Sequence, residues 1–299
     1  MLPRARSRFV VDAVTAGGGE VVDAPEAEAL VWTDHADPAG LGRLLDDHPQ
    51  LGWVQLPWAG VEPYVEVIRA HDGRVWTCGK GVYAAPVAEH ALALALAGMR
   101  RLDRYARERT WTAAGGRNLI GARATLVGGG GIAEELLGLL APFGCDVTVV
   151  RRRPAAMAGA QRVVGSDALD EALTGAELVV LALALVPDTA RLIDRRRLDL
   201  LAEGACLVNV ARGGHVVTDD LVAALRAGRL GSAGLDVTDP EPLPDGHPLW
   251  TEQRALVTPH RANYGEAADA EMHGLFTRQI RRWIAGEELS GSVDPARGY

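Results

Sequence analysis

Residues 124–154, ATLVGGGGIAEELLGLLAPFGCDVTVVRRRP, read in order as strand, glycine turn, helix and strand. Thr125 to Val127 is a short apolar run that ends in four glycines. Apolar side chains then recur at Ile132, Leu136, Leu137, Leu139 and Leu140 with the period of a helix, and Val147 to Val150 forms the second strand. Gly128, Gly130 and Ala133 fill the three small positions of a G-x-G-x-x-G/A fingerprint. The first allows the sharp turn, the second lets a pyrophosphate approach the backbone, and the third lets the helix pack against the strand. Gly131 and Ile132 open the helix, whose N–H groups and partial positive charge suit phosphates. With 35 glycines in 299 residues, a G-x-G pair arises by chance on the order of four times. The pair therefore gains its weight from context: a strand before it, a helix after it, and a second strand at the length of one βαβ unit. That context predicts a dinucleotide site.

A chain of 299 residues with 48% hydrophobic content can bury a large core and has the length of about two domains. A net charge of −8 argues against a nucleic-acid partner. The opening MLPRARSRF is basic, but Asp12 soon interrupts the apolar residues after it, so no signal-peptide core is expected. Ala91 to Ala97 is far too short to span a bilayer, and a cytoplasmic protein is the expectation. Cys78, Cys145 and Cys206 are odd in number, far apart and set in or beside apolar runs. They read as small buried side chains rather than disulfides, and no metal site is expected.

Between residues 9 and 77, short apolar runs alternate with polar or helical stretches: Phe9 to Val14, Ala29 to Trp32, Gly52 to Leu56 and Val75 to Thr77. The pattern predicts a small parallel α/β domain with helices over Pro38 to Asp46 and Val61 to Ala70. Leu56 to Gly60 is then a loop at a strand's carboxyl end, where open α/β sheets bind ligands. Pro86 to Glu108 reads as one long helix leading into the second domain. Glu177 to Leu185 is apolar enough for a strand buried on both faces, and Ala205 to Val210 reads as another. Thr218 is placed to cap a helix through Arg226. Gly234 to Val237 and Ala255 to Val257 are further short strands, and a last helix covers roughly residues 264–284.

Three charged or titratable residues fall just past the ends of successive strands: Arg212, Glu241 and His260. In a doubly wound sheet these ends converge on one crevice. An arginine fork there can bind a carboxylate or polarise a carbonyl. A histidine can exchange a proton with a carbonyl or alcohol oxygen, and a glutamate beside it would orient the imidazole and favour its protonated form. Singly, each fits an ordinary role as well: a surface ion pair, a solvated loop, a turn residue.

Taken together, LVNVARGG (207–214), GLDVTDPEPLPDGHPLW (234–250) and LVTPH (256–260) resemble the D-2-hydroxyacid dehydrogenase family. The similarity extends to PVAEHALALALAGMRRL (86–102), the glycine fingerprint, LPWAGV (56–61) and PDTARLID (187–194), so it covers most of the chain. The resemblance implies two Rossmann-like or flavodoxin-like α/β domains with parallel sheets and an active site in the cleft between them. Residues 1–88 plus 272–299 would form a discontinuous substrate domain and residues 89–271 the dinucleotide-binding domain. Arg212, Glu241 and His260 match the family's catalytic residues, Asp236 the aspartate that contacts the nicotinamide amide, and Ala59, Gly60 and Val61 the backbone that holds the substrate carboxylate. Gly128, Gly130, Gly131, Ile132, Arg151, Arg152, Ala211 and Asp236 form the expected cofactor set. The resemblance also implies a homodimer formed through the nucleotide domain.

Departures from the family pattern sharpen the reading. Where members using NAD carry an acidic residue after the second strand, this chain has Arg151, Arg152 and Arg153. NADP(H) is therefore the preferred cofactor, with NAD(H) also usable. Arg261, Ala262, Asn263 and Tyr264 come after the histidine, where the family commonly has small residues, which leaves substrate size open. Trp53, Trp58 and Tyr264 are equally candidates for the pocket wall and for plain packing. The expected activity is reduction of a small 2-keto acid, of the glyoxylate or hydroxypyruvate kind, to a D-2-hydroxy acid. A cofactor-sensing corepressor of the same fold is the alternative, and a methyltransferase would share only the glycine loop.

Overall fold

The computed structural model describes residues 8–34, 36–263 and 266–295. Two compact units result, residues 1–83 with 265–299 and residues 84–264.

The first unit is built on a three-stranded parallel sheet of β1 (Ala29–Val31), β2 (Trp53–Gln55) and β3 (Val75–Thr77), in that spatial order. The Pro38–Asp47 helix starts where Asp37 accepts a 2.7 Å bond from the Gly40 N–H and Pro38 supplies a preset φ. The run at Phe9 to Val14, expected to alternate with helices as the strands do, is instead part of a helix, Arg8–Ala16. Its spacing explains the difference. Val10 and Ala13 lie three residues apart, both are buried, and they share a cluster with Met272, Leu275 and Phe276 of the Glu266–Ala285 helix. That last helix is described over Glu266–Ala285, and its expected start at Tyr264 lies outside the described residues.

The second unit is a seven-stranded, all-parallel sheet. Its strands are β4 (Arg123–Val127), β5 (Asp146–Val150), β6 (Arg162–Val164), β7 (Leu178–Leu181), β8 (Ala205–Asn209), β9 (Leu230–Leu235) and β10 (Ala255–Val257). Their spatial order is β10-β9-β8-β7-β4-β5-β6. The chain runs outward from β4 to β6, then returns to start β7 on the other side of β4. This is the doubly wound arrangement, with its switch point between β4 and β7. Strands β7 and β8 are buried at every residue, as central parallel strands require.

Three expectations about elements give way. The helix expected over Pro86 to Glu108 runs Ala84–Met99, and only the short Leu102–Tyr105 helix comes after it. The carbonyl of Met99 accepts a 2.7 Å bond from the Arg117 N–H instead of continuing the helical ladder, and Arg101 turns left-handed at φ 56°. Strand β7 stops at Leu181 rather than Leu185: the Ala182 N–H still bonds the Val127 carbonyl, and beyond it the chain leaves the sheet. Thr218 is the first residue of the Thr218–Arg226 helix rather than its cap, and its hydroxyl donates to the Asp239 carbonyl at 2.7 Å.

Candidate active site

The glycine turn sits at the switch point. Gly128 has φ 117°, a region open to glycine, and a Cβ there would collide with the Ala182 carbonyl at the end of β7. Gly130 caps the Gly131–Leu140 helix, and nothing lies within 4 Å of where its Cβ would stand. Ala133 is buried. A tight turn, an open approach and a small packing residue thus coincide at a helix N-terminus, which is the cradle a pyrophosphate requires. At the end of β5, Arg151 is half-buried and folds back over this turn. A Cβ on Gly129 would lie 2.8 Å from Arg151 Cδ and 3.0 Å from its Nε. Arg152 and Arg153 are exposed beyond it.

At the end of β8, Asn209 is buried where the loop that carries Arg212 begins. Its side-chain oxygen accepts from the Ala211 N–H at 3.0 Å and its amide donates to the Arg212 carbonyl at 2.9 Å. His215, fully buried, also faces that carbonyl through Nδ1 at 2.9 Å. Arg212 has extended backbone, and its Nη1 donates to the Ala211 carbonyl at 2.7 Å. Next to it, a Cβ on Gly213 would run into the Thr238 carbonyl, so this loop rests directly on the one after β9. The Thr238 N–H in turn donates to Glu241 Oε2 at 3.4 Å.

Glu241 and His260, nineteen residues apart, meet across the ends of β9 and β10 with Nδ1 and Oε1 2.7 Å apart. A carboxylate only accepts, so Nδ1 carries the proton and Nε2 is the ring atom left to work on a substrate. Both side chains remain about two-fifths exposed, at 43% and 41%. His260 stands at φ 51°, with its N–H bonded to the Asp236 carbonyl at 2.8 Å. Asp236 is 2% exposed, and both its oxygens are engaged by the same loop. Oδ1 accepts from Thr258 Oγ1 at 2.6 Å and from the Arg261 N–H at 2.8 Å, while Oδ2 accepts from the Ala262 N–H at 3.0 Å. Burial pushes its carboxyl up, but His90, Thr258 and the two backbone N–H groups outweigh that and hold it down to about 2.

In the first unit, Ala59 is exposed and Gly60 half-buried on the loop after β2, and Val61 is buried. Beneath that loop, Thr77 donates to Gln55 Oε1 at 2.7 Å and accepts from Trp53 Nε1 at 2.8 Å, while Gln55 donates to the Leu56 carbonyl at 2.7 Å. Trp53 is buried within this network and is a packing residue. Trp58 stacks on Tyr83 at 5.7 Å, and Tyr264 lies outside the described residues. All three cysteines are buried free thiols. Among the described residues no helix is long and apolar enough to cross a membrane.

A doubly wound sheet, a dinucleotide cradle at its switch point and a histidine–carboxylate pair at the neighbouring strand ends define a nucleotide-dependent oxidoreductase. Residues 90–262 match the family described as D-isomer specific 2-hydroxyacid dehydrogenase, NAD binding domain, and the chain belongs to that family of NAD(P)-dependent oxidoreductases. It is 32% identical over 290 residues to glyoxylate/hydroxypyruvate reductase A of Serratia proteamaculans, covering 93% of this chain and 89% of that one. The enzyme of the same name from Yersinia enterocolitica is 29% identical over 287 residues, covering 92% and 88%. Among solved structures, a D-isomer specific 2-hydroxyacid dehydrogenase from Xanthobacter autotrophicus Py2, in complex with NADPH and MES, superposes with a TM-score of 0.84. That protein is 30% identical, over 99% of this chain and 97% of its own.

Proposed function

We propose that this chain reduces small 2-keto acids of the glyoxylate and hydroxypyruvate kind to D-2-hydroxy acids, with NADPH preferred over NADH. The observation that carries the reading is the 2.7 Å pair of His260 and Glu241 past the ends of β9 and β10, in the sheet whose β4 feeds the glycine cradle. The bound reduced nicotinamide supplies hydride to the carbonyl carbon. His260 gives the proton from Nε2 to the carbonyl oxygen, and Glu241 holds the imidazole by Nδ1 so that the charged ring is favoured. Arg212 and the backbone of Ala59, Gly60 and Val61 bind the substrate carboxylate, which fixes the carbonyl for attack. Gly128, Gly130, Gly131 and Ile132 bind the pyrophosphate, while Ala211 and Asp236 border the nicotinamide. Arg151, folded over the glycine turn, and Arg152 meet the 2′-phosphate, a contact an acidic side chain would oppose. The names of the Serratia and Yersinia relatives and the NADPH bound to the Xanthobacter protein support the same substrate class and cofactor.

The test is a panel of 2-keto acids at saturating NADPH and NADH. Glyoxylate and hydroxypyruvate are expected to lead, with kcat/KM at least about tenfold higher with NADPH, or roughly 1.4 kcal/mol. Turnover of none of the panel would overturn the reading.

The chain also acts as a homodimer in this proposal. Leu102, Trp111 and Ile120 are 54%, 102% and 73% exposed along one segment of the nucleotide unit, an unusual concentration of bare apolar side chains that a second copy would cover.

A further inference from the structure

His90 lies on the Ala84–Met99 helix, far in sequence from the strand-end loops, yet its Nε2 is 2.9 Å from Thr258 Oγ1 and 3.4 Å from Asp236 Oδ1. The direction of these bonds is set by proton count. Asp236 receives two backbone N–H groups and acts as an acceptor. The single hydroxyl proton of Thr258 goes to Asp236 at 2.6 Å, so Thr258 Oγ1 faces His90 as an acceptor and His90 Nε2 carries a proton. The chain of donors therefore runs one way, from His90 to Thr258 to Asp236. Around the end of that chain the loop closes: Arg261 and Ala262 donate to the carboxylate, and the His260 N–H donates to the Asp236 carbonyl. His260 sits at the crest of this wrap with φ 51°, a backbone conformation that a non-glycine residue keeps only when its surroundings impose it.

We propose that His90 is a positioning residue for the reaction, locking through Thr258 and Asp236 the loop that presents His260. Asp236 then serves as the hub of that loop, in addition to its place beside the nicotinamide. Outer partners of this kind fix the orientation of a working side chain that they never touch. The effect on turnover rests on His260 being the proton donor, whereas the effect on the loop does not.

The experiment compares His90→Leu, which removes the donor, with His90→Gln, whose amide can still reach Thr258. Thr258→Val, which breaks the same chain one link further on, is the second probe. Each is measured for kcat, for KM of glyoxylate, for NADPH affinity by fluorescence, and for amide hydrogen exchange across residues 257–263. His90→Leu and Thr258→Val should speed exchange in that stretch by at least about tenfold and lower kcat by about tenfold, the lower end of the range for lost outer partners. KM and NADPH affinity should stay within about twofold. His90→Gln should restore both exchange and kcat to within about threefold of wild type. Unchanged exchange in His90→Leu and Thr258→Val, or equal losses in His90→Leu and His90→Gln, would overturn the proposal. Faster exchange with unchanged kcat would support the lock and count against His260 as the donor.

Discussion

Asp236 gathers a threonine hydroxyl, two backbone N–H groups and a nearby imidazole around one buried carboxylate, and this makes stability depend on pH. Its carboxyl is held down to about 2, below the roughly 3.9 of an unfolded aspartate. A group with a depressed folded value stabilises fully above the unfolded value, and that contribution is lost as pH falls from about 4 to about 2. Asp236→Asn should therefore lose stability less steeply than wild type in this window, by up to about 1.4 kcal/mol per pH unit, as measured by denaturant unfolding at each pH. Parallel curves for the two proteins would show that Asp236 does not titrate as described. At this scale strand-end position made Arg212, Glu241 and His260 stand out, because each comes after a recognisable apolar run, and the structure brings Glu241 and His260 to 2.7 Å. Asn209 could have been found too, as the one polar side chain inside an otherwise apolar strand. His90 and Thr258 could not, because only the fold brings residues so distant in sequence to within 2.9 Å.

Strands β7 and β10 announced themselves through unbroken apolar runs, and β4, β5 and β8 through runs broken by only one or two polar residues, since a parallel sheet covered on both faces needs no polar side. Strand β6 did not, being short, at the sheet edge and only half-buried. The break after Met99 was hidden for another reason. Local propensity favours continuing the helix, and a distant N–H, that of Arg117, ends it. The proposed cofactor preference rests on the end of β5, where Arg151 folds back over Gly129. Replacing it should expose what it contributes. In Arg151→Asp the ratio of kcat/KM for NADPH over NADH should fall by at least about tenfold, because a carboxylate repels the 2′-phosphate and can bond the ribose hydroxyls instead. A ratio equal to that of wild type would show that the arginine plays no part in cofactor choice.

For the whole chain, two parallel α/β units were legible from the spacing of apolar runs and from the fingerprint. The proposed assembly rests on less regular features. The exposed Leu102, Trp111 and Ile120 lie on irregular chain or a single short helical turn, where no periodicity marks a buried face. Light scattering after size exclusion should give a mass twice that of the chain, and Trp111→Ser with Leu102→Asp should shift it toward the single-chain mass. A single-chain mass for wild type would contradict the dimer. The central claim, that one histidine at the end of β10 completes keto-acid reduction, is tested most directly by kcat for glyoxylate with NADPH in wild type and in His260→Gln. The account predicts measurable wild-type turnover and a loss of about 100-fold or more in the variant, with NADPH affinity retained. Near-normal turnover in His260→Gln would contradict it.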